Sequence, residues 1–178
     1  MAKRIFDKLQ VSAIAAVAAN RVIGMGGDIP WRGRIPGEQL IFRDYTLGKV
    51  VIMGRKTWLS LPEKFRPLPD RINIVLTSTP DIKSDHIELS SVEEALLFCD
   101  SLKERKEAVL IGGQKVYEHG LRYCDRLYLT RLEAIFPGDT FFPELDSAEW
   151  ATESERYHPS KEGQSVGYTF KTLRRVYD

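Results

Sequence analysis

The sequence predicts an α/β fold on a largely parallel sheet with antiparallel strands at its C-terminal end, and three observations predict it. Short apolar or β-branched runs alternate with helical patterns through the earlier part of the chain. Three late runs, 127–132, 150–157 and 165–176, alternate apolar and polar residues more cleanly, with no helix between the last two, as antiparallel strands do. A chain of 178 residues, 43% apolar, can bury one good core but is short for two, so one domain is expected.

Residues 11–19 form a continuous small-apolar run ended by Asn20, Gly24, Gly26 and Gly27, which reads as a buried strand feeding a long loop. Lys3, Arg4 and Lys8 ahead of it imitate a signal peptide. The run is too short to span a bilayer and Asp7 interrupts the basic segment, so a core strand is the better reading. Pro30 and Trp31 interrupt the loop. Pro36 and Gly37 then open a helical pattern, with Leu40, Ile41, Tyr45 and Leu47 apolar, and Gly48 closes it. A strand at 49–53 ends in Gly54, a short helix runs from Arg55 to before Pro62, and a proline-rich loop extends to Asp70. Strands follow at 71–78 and 86–89. Ser91 with Glu94 is a capping-box signature for a helix to about Cys99. A strand at 108–111 ends at Gly112-Gly113 and leads into a helix at 114–119.

Composition excludes several classes. With 26 Lys plus Arg against 25 Asp plus Glu, the net charge of +1 gives no global field for nucleic acid or anionic membrane. Cys99 and Cys124 lack CxxC spacing and fit free thiols in a reducing, cytoplasmic setting. His86, His119 and His158 lie far apart and form no ligand pair, so no metal is expected. No long apolar surface segment is evident, and the default is a monomer.

Two strand–glycine–helix junctions carry the first chemistry: KVVIMG-RKT at 49–57 and AVLIGG-QKVY at 108–117. A strand ending in glycine lets a ligand approach the backbone, and the next helix offers unpaired N–H groups to phosphate. Each junction alone also reads as a tight turn; two in one sheet point to a dinucleotide whose diphosphate lies between them. Arg55, Lys56, Thr57 and Lys115 supply cations and a hydroxyl. No GxGxxG and no ribose-reading acid follow, and with Ser78 ending the next strand the cations favour NADPH over NADH.

Glu38 stands in the first turn of the predicted helix with Phe42 one turn on. It reads either as a solvated end charge stabilised by the dipole, or as a carboxylate in an apolar cleft with a raised pKa, able to bind an amino-amidine edge by two hydrogen bonds. Spacing alone leaves both open. Arg71, after the proline-rich loop, reads as a surface arginine or as a bidentate carboxylate receptor at a cleft mouth.

VSAIAAVAANRVIGMGGDIPW, GKVVIMGRKTW, RPLPDRINIVLTS, VLIGGQKVYE, LYLT and GDTFFP stand in the order found in dihydrofolate reductases, and the chain resembles that family from Val11 to about Val176. The resemblance implies an eight-stranded, mostly parallel sheet flanked by four helices, a domain over 11–178 and an N-terminal extension at 1–10. It implies NADPH-dependent reduction of dihydrofolate. Glu38 matches the family's active-site carboxylate, which holds the pterin and promotes protonation at N5 before hydride reaches C6. Thr130 resembles the hydroxyl that bonds this carboxylate, and Trp31 the residue that orders a nearby water. Ile14, Ala15, Gln39, Phe42, Leu61, Leu68 and Ile111 fall on substrate positions, and Arg71 resembles the receptor of the glutamate tail.

Ala16, Ile23, Gly24 and Ile29 match positions beside the nicotinamide. Gly54, Arg55, Lys56, Thr57, Leu76, Thr77 and Ser78 fall on cofactor positions of the first junction. Ile111, Gly112, Gly113, Gln114, Lys115, Val116 and Tyr117 fall on those of the second. The loop from Gly24 to Ile29 resembles the lid over the nicotinamide, with Asp139 opposite.

Three departures stand out: Gln114 replaces a third glycine, PEKFRP at 62–67 lengthens a turn, and Glu38-Gln39 replaces the Asp-Leu of many bacterial members. The GEQxxF pattern resembles the trimethoprim-insensitive, mobile-element-borne branch. Two rivals are a pyrimidine reductase of riboflavin synthesis, which lacks the helix-borne acid and the tail arginine, and a nucleotide-binding module without catalysis.

Overall fold

The alanine-rich run forms β1 (Val11–Val17) near the middle of the main sheet. It ends earlier than its composition predicts because the chain turns at Ala18: Arg21 N–H donates to the Ala18 carbonyl and Ala18 N–H to Val22, leading into β2 (Val22–Gly24). The computed structural model describes residues 5, 6, 8–35, 37–79, 85–102, 104, 107–160 and 166–177. Lys3, Arg4, Asp7, Pro36 and Ser165 lie outside the described residues.

Helix α1 (Glu38–Thr46) starts at Gly37, whose φ of 88° suits a residue without a side chain. Then come β3 (Val50–Gly54), α2 (Arg55–Ser60), a single 3₁₀ turn (Glu63–Phe65) within the proline-rich loop, β4 (Ile72–Leu76) and β5 (Ile87–Leu89). Helix α3 (Val92–Ser101) is capped by Ser91, whose side chain accepts the Glu94 N–H at 3.1 Å. The Glu94 carboxylate reaches back to the N–H of Ser90 instead of Ser91, so the capping box is shifted by one residue. Strand β6 (Ala108–Gly112), helix α4 (Gln114–Gly120), β7 (Arg126–Leu132), β8 (Thr140–Phe141), β9 (Trp150–His158) and β10 (Tyr168–Arg175) complete the chain.

The main sheet has eight strands in the order β5-β4-β3-β6-β1-β7-β10-β9. Pairing is parallel from β5 to β7, and antiparallel between β7 and β10 and between β10 and β9. The α/β class, the four helices and the antiparallel C-terminal pair are as expected. The run at 127–132 is antiparallel only toward β10; its other edge runs parallel to β1.

Side chains of a strand alternate between faces, and this sorts the core. Val11, Ala13 and Val17 of β1, with Val50 and Ile52 of β3, face the layer of α3 and α4 through Ala95, Leu96, Val116 and Tyr117. Val51, Met53 and Val75 face the other way, against Trp58 of α2 and Leu68, while Ile14, Val109 and Tyr128 meet Ile41 and Phe42 of α1. Because both faces are covered, the central strands are apolar at most positions, which is why the sequence shows nearly continuous runs there. Leu9 is fully buried in the first cluster and Phe6 lies edge-on to Tyr123, so the end of segment 1–10 joins the core.

Candidate active site

Helix α1 sets Glu38 at its first turn, with its N–H directed at the Ile35 carbonyl (3.4 Å). Ile35 packs with Trp31, Phe136 and Tyr168, and partly buried Ala16, Ile41 and Phe170 close the cluster. Glu38 is half-buried. Burial raises its pKa above the ordinary carboxylate value, and the Arg32 charge offsets part of that rise. Burial of the Tyr168 phenol, and secondly the Glu38 charge, push its pKa up. The Glu38 carboxyl is therefore partly withdrawn from water, and among the described residues no hydrogen bond holds it. Thr130 is buried in β7 between Ala16 and Phe170, and no hydrogen bond joins it to Glu38 among the described residues.

Trp31 is 1% exposed, and its indole nitrogen is the buried side-chain donor without a partner among the described residues. Such an orphan costs about 1–3 kcal/mol unless water or a ligand accepts from it. On the same side of the sheet, Phe42, Leu61 and Ile111 are partly buried around Leu68, and Gln39 is exposed beside Glu38. Arg71 closes this end. Its Nε donates to Thr46 Oγ1 and its Nη1 to the Pro69 carbonyl, each at 2.9 Å, and its guanidinium lies over the Phe42 ring at 5.8 Å. Burial lowers its pKa from the usual arginine value.

At the carboxyl ends of neighbouring β3 and β6, the two glycine junctions lie side by side. A Cβ on Gly54 would sit 3.5 Å from Val116 Cγ2 and 4.0 Å from the Gly113 nitrogen, and one on Gly113 would sit 3.3 Å from Thr57 Oγ1. Gly112 has φ +111°, which L side chains rarely adopt. The result is a cradle of bare backbone, the feature a diphosphate needs. Helices α2 and α4 are only six and seven residues long, so charged side chains must supply most of the field. Arg55, Lys56, Lys115 and Ser78 are exposed around the cradle, and Thr57 is half-buried. Leu76 is half-buried, and Thr77 is buried, its hydroxyl accepting the Thr79 N–H at 3.3 Å. These residues fit a phosphorylated dinucleotide.

Tyr117 is core rather than rim. Its hydroxyl donates to the Ile14 carbonyl at 2.7 Å, fixing β1 against α4, and burial pushes its pKa up. Ala15 and Ile23 pack beside this core. Ile29 is on the surface. A concavity of ≈420 Å³ lined in part by Val17, Asn20, Arg21, Arg131 and Phe142 contains none of the expected site residues.

The glycine-rich loop after β2 is a tight hairpin. Met25 and Asp28 exchange both backbone hydrogen bonds, and Gly26 and Gly27 between them have φ of 57° and 84°, as a type I′ turn requires. Strand β2 pairs with β8. Gly26 N–H donates to Asp139 Oδ2 at 2.9 Å and Asp139 N–H to the Gly24 carbonyl at 3.1 Å. Asp139 thus holds the hairpin, and the Gly26 N–H keeps its carboxyl below the usual range.

The comparisons with known proteins decide the family. The model described as dihydrofolate reductase matches residues 10–175. The chain belongs to the dihydrofolate reductase family. It is 42% identical over 163 residues to the dihydrofolate reductase of Neisseria gonorrhoeae, covering 91% of this chain and 96% of that protein. It is 38% identical over 165 residues to dihydrofolate reductase type 3 of Salmonella typhimurium, covering 93% and 98%. Among solved structures, dihydrofolate reductase from Enterococcus faecalis complexed with NADP(H) and RAB-propyl superposes with a TM-score of 0.83 at 33% identity, covering 94% of this chain and 97% of that one.

Within this dihydrofolate reductase fold, sequence reasoning missed several contributors. Asn73, buried in β4, exchanges two 2.9 Å hydrogen bonds with the backbone of Leu68 and pins the proline-rich loop. An asparagine inside an apolar strand was the available signal. Gln114, at the missing third glycine, bonds Glu118 at 2.7 Å and accepts the Phe141 N–H at 2.9 Å, tying α4 to the hairpin support. The β2–β8 ribbon itself is too short to show periodicity.

Proposed function

We propose that the chain reduces 7,8-dihydrofolate to 5,6,7,8-tetrahydrofolate with NADPH, as one domain over 11–178 that acts as a cytoplasmic monomer. The observation that carries this reading is the half-buried Glu38 carboxyl, its proton affinity raised by burial, on the stretch of chain whose Trp31 N–H is buried without a partner among the described residues. When bound, the reduced nicotinamide supplies the hydride.

Glu38 accepts two N–H groups from the amino-amidine edge of the pterin, a bidentate arrangement that fixes the ring. By holding a proton at higher pH than an exposed glutamate, it raises the availability of that proton for N5, a contribution of about 10²–10⁴-fold for general-acid assistance. Trp31 gives its N–H to a water that relays toward the same place, which removes the cost of an unmet donor. Thr130 lines this floor from β7. Ile14, Ala15, Phe42, Leu61, Leu68 and Ile111 form the apolar walls, with Gln39 at the rim. Arg71, two of its nitrogens already committed, presents its remaining N–H groups to the glutamate-tail carboxylate.

Gly54, Gly112 and Gly113 let the diphosphate approach the backbone, with Thr57, Gln114, Lys115 and Val116 beside it. Arg55, Lys56, Thr77 and Ser78 receive the extra phosphate near Leu76. Ala16, Ile23, Gly24 and Ile29 surround the nicotinamide, backed from the core by Tyr117, and the hairpin held by Asp139 excludes water and fixes the reacting carbons. Loss of NADPH absorbance on adding dihydrofolate tests the activity directly. Arg55→Ala is expected to weaken NADPH more than NADH; equal weakening refutes the phosphate assignment.

The finer reading is resistance. Glu38 extends one methylene further than aspartate and, with Gln39, reshapes the pocket against diaminopyrimidines while keeping dihydrofolate turnover. A trimethoprim inhibition constant as low as that of ordinary bacterial reductases would sink this reading. Cys99 and Cys124 support the reducing compartment: both are buried free thiols, and burial pushes Cys99 up to about 12.

A further inference from the structure

We infer that Glu88 is a specificity-determining residue that restrains the preference for a 2′-phosphorylated adenine dinucleotide by drawing on the charge of Arg55. The inference rests on the reading of Arg55 as receptor of the extra phosphate.

Glu88 lies on β5, in register with Val75 of β4, and the next rung, Thr77 N–H to the Leu89 carbonyl at 2.9 Å, carries the sheet to the end where Ser78 stands. Its side chain is 4% exposed, whereas that of Arg55 is 53% exposed, and Glu88 Oε1 lies 3.8 Å from Arg55 Nη1. The carboxylate is fixed by its surroundings. His86 Nε2 lies 2.9 Å from the same oxygen, His86 Nδ1 pairs with Asp85 at 3.0 Å, and the imidazole lies tilted at 37° against Trp58 with ring centroids 4.1 Å apart. Trp58 belongs to α2, the helix that begins with Arg55, so one short helix carries both the guanidinium and the wall that seats its counter-charge.

The negative charge of Glu88 decides the sign of the effect, and the separation its kind. The 3.8 Å separation is too long for a hydrogen bond, so Glu88 gives Arg55 little directional guidance, while its charge still acts across that distance, weakened by the water around the half-exposed guanidinium. A phosphate monoester carries about two negative charges at neutral pH. Glu88 offsets the Arg55 charge that such a group meets. Lys56, next to Arg55 in the chain, adds to the positive side of this balance and Asp85 to the negative. A dinucleotide with a free 2′-hydroxyl does not meet this effect.

Titration calorimetry of NADP⁺ and NAD⁺ on the full chain, with no turnover, tests the inference. Glu88→Gln is expected to tighten NADP⁺ by about two- to tenfold at low salt, with NAD⁺ changed by less than about twofold, the range of one charge beside a half-exposed pair. The gain should fade near roughly 1 M salt, where screening reaches about 3 Å. It should also vanish in the Arg55→Ala background, the double-mutant signature of action through that arginine. Unchanged or weaker NADP⁺ binding, an equal gain for both dinucleotides, or a gain that survives without Arg55 would overturn the inference. If Glu88→Gln does not fold, Glu88→Asp, which withdraws the charge by one methylene, must give a smaller gain in the same direction. Equal losses for both dinucleotides in Arg55→Ala alone would instead overturn the phosphate reading beneath it.

Discussion

Glu38 is ionised less readily in the fold than in the unfolded chain, because the half-buried carboxyl loses hydration that Arg32 replaces only in part. Its folded pKa is raised, so the stability linked to it is fully present below the unfolded value and is lost as pH rises through the folded one. Glu38→Gln is therefore expected to melt higher than the parent protein at pH 8 and to lose that advantage near pH 4; thermal scans at both values check it. The same residue governs turnover in the proposed reaction. The hydride-transfer rate should fall as pH rises through the raised pKa, and Glu38→Gln should cut turnover at neutral pH by about 10²–10⁴-fold while leaving NADPH binding nearly intact. A flat pH profile, or loss of cofactor binding in step with turnover, would contradict that role.

The hairpin and its support act as one element. Gly138 shows how closely β2 and β8 approach, since a Cβ there would lie 2.3 Å from Val22 Cγ1 and 2.8 Å from the Gly24 carbonyl oxygen. Gly138→Ala must push the ribbon apart, at a cost of about 1–3 kcal/mol as in other overpacked sites, measurable as a lower denaturant midpoint. Asp139→Ala removes the acceptor of the Gly26 N–H without touching the core. It should slow hydride transfer by about tenfold, a modest share of what lid closure and positioning supply, with little change in melting temperature. A large fall in stability with unchanged hydride transfer would mean that Asp139 serves folding instead.

For the whole molecule, β1 joins the layers, giving Val11, Ala13 and Val17 to one face and Ile14 to the other. Neither layer keeps its packing without that strand, so unfolding by far-UV dichroism and by tryptophan fluorescence should coincide in one transition. NADPH at 100 times its dissociation constant should raise stability by about 2.7 kcal/mol, and NADH at the same concentration by less. Noncoincident transitions would show that the halves of the sheet melt apart.

Local pattern accounts for much of this in the sequence alone. The continuous apolar strands, the glycines ending β3 and β6, the Ser91 cap and the placement of Glu38 in a first helical turn were all legible, because each depends on residues a few positions apart. The choice between a solvated end charge and a cleft acid at Glu38 was not, since it depends on Trp31, Tyr168 and the partly buried Phe170 closing around the helix start. Nor were the bonds from Asp139 to Gly26 and from Gln114 to Phe141, or the approach of Glu88 to Arg55. Sequence by itself determined which of the longer segments become strands and helices and which chemical groups they carry, because backbone propensity and side-chain periodicity are local. Only the tertiary structure decided which of those groups meet and how water reaches them, because burial and charge act through space between residues that the chain holds far apart.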